Sequence, residues 1–296
     1  AHGEVTGSRL ARRWADSLPE AYKEDFGPAT GADDVARLDA LAASLESSGR
    51  TSGLDLMLSR AEGLPDDEDL ADAAPRGDVR LKIYRVGEPL SLSSMLPMLT
   101  SLGVEVVDER PYRLDVVGQQ CHLYEFGLRH PGREPDGAAG LFEDALRAIW
   151  DGHNEADGFN RLVLGAGLGW REATVLRAYA KYMRQGLTPF SLTTIEDALC
   201  GNVDLARLLV QLFETRFDPD LELSEEARTE RTDTIRQRIE RGLDDVASLD
   251  HDRILRSYAA HVLGTLRTSF FQRDADGAVR PAISLKLDPS QLPDLP

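Results

Sequence analysis

The chain has 296 residues, more than one hydrophobic core usually holds, since domains favour roughly 100 to 150 residues, so two or more modules are expected. With 42% hydrophobic and 29% charged residues it has the balance of a soluble globular protein, which excludes collagen-like and wholly disordered chains. The formal charge of −17 would repel phosphate backbones and anionic membranes, so neither nucleic acid nor a membrane is expected as a partner. No stretch approaches the roughly 18 to 20 apolar residues of a membrane span. The start, AHGEVTGSRLARRW, lacks the apolar middle of a signal peptide, and a cytoplasmic location is expected. Cys121 and Cys200 match no metal-ligand spacing and read as buried thiols in a reducing compartment. The missing initiator Met and the proline-punctuated close Leu292-Pro293-Asp294-Leu295-Pro296 suggest a piece of a longer protein.

Residues 9–26 and 32–47 read as helices. In the second, Val35, Leu38, Leu41 and Leu45 recur at spacings of three and four behind Asp33 and Asp34. Leu54, Leu56 and Leu58 alternate with polar or less apolar residues as in a strand with one buried face. The run Asp66-Asp67-Glu68-Asp69 lacks the central Gly and terminal Glu of a calcium loop and reads as a solvated acidic loop. From Val79 the pattern sharpens: strand 79–86, helix 91–102, strand 104–110, strand 121–128 and helix 139–150. In a ferredoxin-like βαββαβ unit the last strand lies antiparallel beside the first, so a strand at 53–60 folded back on 79–86 would fill that edge. The fold class is therefore α+β: a permuted ferredoxin-like antiparallel sheet with helices on one face, followed by an all-α segment.

After Trp150 the chain turns helical. Residues 157–164 are ambiguous. Helices follow at 170–185 and 193–200, then one capped by Asn202, one opened by Ser224 and one capped by Ser248, whose face carries Ile254, Tyr258, Val262, Leu266 and Phe270. Asp274-Ala275-Asp276-Gly277 reads as a turn, and 282–287 alternates as a strand.

Gly165-Ala166-Gly167-Leu168-Gly169 follows an apolar run and precedes a helix, as a dinucleotide-binding turn would, but Trp170 stands where the last Gly of GxGxxG is required. A plain interhelical turn is the simpler reading, with a cryptic dehydrogenase as the competing one. His153-Asn154-Glu155-Ala156-Asp157 gathers ligand-type residues without the Cys/His spacing of a metal site and reads as loop or cap. The informative stretch is Arg85 to Ser94. A strand ends, Gly87 permits a tight approach, Pro89 stiffens the loop, and a serine-rich helix start presents N–H groups that suit a carboxylate. Glu88 would meet an ammonium. Gly87, Glu88, Ser91, Ser93 and Ser94 thus form a candidate amino-acid effector site, beside the alternative that Ser91 only caps the helix.

Several segments carry a resemblance: Arg80-Leu81-Lys82-Ile83-Tyr84-Arg85, Val107-Asp108-Glu109-Arg110-Pro111-Tyr112, Asp157-Gly158-Phe159-Asn160-Arg161, Trp170-Arg171-Glu172, Asp252-Arg253-Ile254-Leu255-Arg256 and Leu285-Lys286-Leu287-Asp288-Pro289. In their order from about residue 53 onward the chain resembles the large NAD-dependent glutamate dehydrogenases of bacteria. Residues 1–50 read as an N-terminal helical segment; the resemblance implies an ACT-like regulatory domain over 51–150, a helical domain over 151–275, and the start of a linker or strand into the catalytic region over 276–296. It also implies a parent enzyme that uses NAD to deaminate L-glutamate to 2-oxoglutarate and ammonia. The family's catalytic lysine would lie beyond residue 296, since neither Lys82 nor Lys286 stands in its motif. No catalytic, cofactor or metal residue is therefore assigned here, and the isolated chain is expected to be inactive. The implied partners are the catalytic region of the same chain, further copies in a homo-oligomer, and a small amino-acid effector. A free-standing amino-acid-sensing ACT-like protein is the alternative.

Overall fold

The computed structural model describes residues 4–60, 79–116, 118–130 and 137–292, and the acidic run at 66–69 lies outside them. The chain divides into two compact units, one of residues 1–100 and 104–131, the other of residues 101–103 and 132–296.

In the first unit, helices α1 (Glu4–Trp14), α2 (Glu20–Asp25) and α3 (Pro28–Ser47) precede strands β1 (Gly53–Arg60) and β2 (Val79–Val86). Helix α4 (Leu92–Ser101) and strands β3 (Glu105–Val116) and β4 (Gln119–Arg129) follow. The helix expected over 9–26 is broken before Pro19, which has no N–H to continue the ladder and instead stands at the N-cap of α2. The sheet order is β1-β2-β4-β3. Strand β1 lies antiparallel to β2, with Leu56 opposite Ile83 and Leu58 opposite Leu81, so the vacant edge of the ferredoxin-like unit is filled as the permuted reading requires. Strand β3 runs past the expected end at Arg110 to Val116, with Pro111 inside it. An edge strand tolerates a proline that a central one would not.

Opposite residues of an antiparallel pair share a face. Leu56, Ile83, Leu81 and Phe126 lie on one side of the sheet, all of them buried. On the other side Tyr84, Val86, Leu114, Cys121 and Leu123 pack with Trp14, Val35, Leu38, Ala42 and Leu45. The expectation of helices on one face is thereby corrected: α1 and α3 cover the second face, and β2 and β4 are buried on both sides, Lys82 being paired with Asp34 of α3.

The second unit is built on helices α5 (Ala138–Trp150), α6 (Arg161–Ala166), α7 (Trp170–Gln185), α8 (Leu192–Cys200), α9 (Val203–Phe217), α10 (Glu225–Leu243) and α11 (Leu249–Leu263). A two-stranded ribbon of β5 (Thr265–Thr268) and β6 (Leu285–Leu287) ends it. Its core gathers Phe159, Leu176, Tyr179, Leu209, Phe213, Tyr258 and Val262. The Ser224 and Ser248 hydroxyls cap α10 and α11 by accepting from Ala227 N and His251 N. Asn202 does not cap α9 with its side chain, because its Nδ2 donates back to the Ala198 carbonyl at 2.8 Å. The apolar stripe read through Leu266 and Phe270 also fails as a helix. Gly264 ends α11, Leu266 lies in β5 half exposed, and Phe270 reaches the core from the turn after it.

Candidate functional site

The five residues expected to hold an effector lie together where β2 turns into α4. Gly87 has φ +102°, a conformation side chains resist, and a Cβ there would come within 2.7 Å of Ser52 Cβ. Its N–H donates to the Gln120 carbonyl at 2.9 Å, which fixes the exit from the sheet. Glu88, Ser91, Ser93 and Ser94 are exposed. No hydrogen bond or salt bridge holds the Glu88 carboxylate among the described residues, but the charge of the buried Arg85 guanidinium acts on it. The N–H groups of Ser94 and Met95 close on the Ser91 carbonyl at 3.1 and 3.0 Å, leaving those of Leu92 and Ser93 as outward donors of the helix start. The Ser91 and Ser93 hydroxyls bond each other at 2.7 Å.

Two residues to which the sequence pattern assigns no role brace this loop. Arg85, buried beneath it, donates from Nε to the Glu88 carbonyl at 2.9 Å, and burial lowers its pKa. The Tyr124 hydroxyl accepts from Leu90 N at 2.9 Å. Alternation places Arg85 and Tyr124 on one face of the sheet, which was the available signal, but nothing local indicates that both reach the same loop. The arrangement is a braced loop with an exposed carboxylate near the Arg85 guanidinium beside the backbone N–H groups of a helix start.

Two other polar clusters among the described residues are occupied. Lys82, buried, places Nζ 2.6 Å from Asp34 Oδ2 and 4.1 Å from the centre of the Phe26 ring. The Tyr22 and Tyr84 hydroxyls donate to the same carboxylate at 2.5 and 2.6 Å. Burial, and then the bond to Asp34, pushes the Tyr22 phenol above its ordinary range, so it stays a donor. Arg177 forks onto both oxygens of Asp157 at 2.6 and 2.7 Å and also reaches Asn154 and Asn160. Glu155 pairs with Lys181. The polar run at 153–157 is therefore a clasp on α7, and among the described residues no group of three or more His, Cys, Asp or Glu is placed to hold a metal ion.

Gly165 to Gly169 is an interhelical turn. The apolar residues before it belong to helix α6, Gly167 ends that helix with φ 64°, and Gly169 N donates to Glu172 at the start of α7. The turn therefore lacks the preceding strand of a dinucleotide-binding unit. Burial pushes the thiols of Cys121 and Cys200 up to about 11, so both are protonated and poorly nucleophilic at neutral pH.

Four family models match in chain order: glutamate dehydrogenase helical motif 2 at residues 1–41, ACT3 domain at 69–139, helical motif 3 at 154–219, and the catalytic domain of bacterial NAD-glutamate dehydrogenase at 238–296. The NAD-specific glutamate dehydrogenases of Halomonas elongata and Pseudomonas aeruginosa are each 34% identical over 99% of this chain. That of Mycobacterium tuberculosis is 34% identical over all of it. The chain belongs to the bacterial NAD-specific glutamate dehydrogenase family. It spans 17% of the length of each of these relatives. Within this family the match reaches upstream of residue 53, where the resemblance was read, and the catalytic-domain match begins at 238, upstream of the expected threshold at 276. Among the described residues no helix is long and apolar enough to cross a membrane.

Proposed function

We propose that this chain is the regulatory and assembly portion of a cytoplasmic NAD-dependent glutamate dehydrogenase that deaminates L-glutamate to 2-oxoglutarate and ammonia. In this reading residues 51–150 form the regulatory domain, the helical residues from 151 up to the catalytic-domain match at 238 brace it against the catalytic region and a neighbouring subunit, and NAD is bound beyond residue 296. The observation that carries the reading is the ordered run of four glutamate dehydrogenase matches along one chain. The sixfold greater length of the relatives argues against a free-standing sensor.

The regulatory ligand is a small amino acid at Gly87 to Ser94. Leu92 and Ser93 N–H groups take its carboxylate and Glu88 its ammonium. The helix dipole adds only about 0.3 to 1 kcal/mol at an exposed terminus, so the site binds weakly alone and is closed by a neighbouring subunit. An amino-acid screen by NMR on the labelled chain, paired with turnover of the full-length enzyme, tests both levels. Shifts centred on residues 87–94, and NADH production from glutamate by the full-length enzyme alone, are expected. Stoichiometric NAD binding or turnover by this chain would overturn the assignment of catalysis elsewhere, and shifts centred on another element would overturn the location.

A further inference from the structure

We propose that a cavity in the helical unit is the seat on which the catalytic region of the same polypeptide docks, through a segment that combines an apolar side chain with a carboxylate. The proposal rests on the reading of the chain as part of a longer glutamate dehydrogenase. The cavity measures about 740 Å³ and lies among the end of α7, the loop before α8, the face of α11 and the tail after β6. Met183, Phe190, Ile195 and Ile254 give it an apolar lining, and Arg253 and Ser257 stand among its polar residues.

Three observations select the occupant. The walls come from two family modules: Met183, Phe190 and Ile195 fall within the helical motif 3 match, and Arg253 to Ala260 with Ser290 to Leu292 fall within the catalytic-domain match. The cavity is thus a seam between them, with the remainder of the catalytic domain continuing from one of its walls.

That wall is also fixed in place. Asp288 N donates to the Gly264 carbonyl at 2.8 Å, Asp288 in turn accepts from Ser290 and Gln291, and Leu292 packs so closely on Gly264 that a Cβ there would approach it to 2.8 Å. The tail therefore delivers the chain to the cavity mouth along a set path.

Charge supplies the third observation. Arg256 is held by Asp252 at 2.9 Å, but Arg253, one turn-start away on the same helix, is exposed and has no partner among the described residues. An unpaired guanidinium beside an apolar hollow matches a carboxylate carried next to an apolar side chain.

The test uses the full-length enzyme with a benzophenone amino acid in place of Phe190, and a second variant with the same probe at Leu187, which is 67% exposed and outside the cavity lining. Mixing isotopically labelled and unlabelled subunits separates contacts within a chain from those between chains. Cross-links from position 190 to peptides beyond residue 296 of the same polypeptide are expected, with none from position 187, and Arg253→Asp should abolish them. Cross-links only to another subunit, or none beside an open cavity that takes up a small carboxylate, would overturn the proposal. Glutamate-dependent NADH production by the same preparation reports separately on the parent reading.

Discussion

Lys82 and Asp34 form a buried ion pair in the first unit. The two are 48 positions apart, so no local pattern pairs them, yet each is almost fully buried and the other is its counter-charge. Replacing one side leaves an uncompensated buried charge, so Lys82→Ala should cost about 3–5 kcal/mol in urea unfolding. A loss below about 1 kcal/mol would contradict the pairing as described. Glu214 makes a prediction of the opposite sign. Burial, and then the charge of Glu172, raises its carboxyl from 4.5 to about 7. The folded state therefore holds a proton that the unfolded chain has released, and the associated stability is present below about 4.5 and lost as pH rises through about 7. The gain in thermal midpoint from Glu214→Gln should be larger at pH 8 than at pH 5. An equal gain at both would remove the linkage.

At the scale of elements, what could be read from the sequence was what repeats locally. Alternation of Leu54, Leu56 and Leu58 marked β1, and its pairing with β2 followed from the vacant edge of the topology. Leu56→Asp should then destabilise by several kcal/mol, because the carboxylate would enter an apolar layer opposite Ile83 without a partner. Urea denaturation showing wild-type stability would contradict the register. Elements whose evidence is tertiary were not legible. The end of β3 was hidden by Pro111, which only its edge position permits, and β5 was hidden because Leu266 and Phe270 keep helical spacing after Gly264 has ended the helix. Helix α3 was visible as an amphipathic stripe, but nothing in it named the second face of the sheet as its partner. The effector loop was half legible. Gly87, Pro89 and the serines signalled a strand-to-helix turn, whereas the brace from Arg85 and Tyr124 depends on contacts across the sheet.

For the whole molecule, charge and length set the frame. A chain at −17 that covers 17% of its relatives carries two compact units. In the proposed function the loop at Gly87 to Ser94 senses an amino acid for a catalytic region elsewhere in the polypeptide. That role is tested most directly by the ratio of glutamate-dependent NADH production with and without the activating or inhibiting amino acid, measured on the full-length enzyme and on its Glu88→Ala variant. The ratio should fall to one in the variant, although Ser91 and the helix start are unchanged there. A ratio equal to that of the unsubstituted enzyme would contradict that role and leave the loop as an ordinary helix cap.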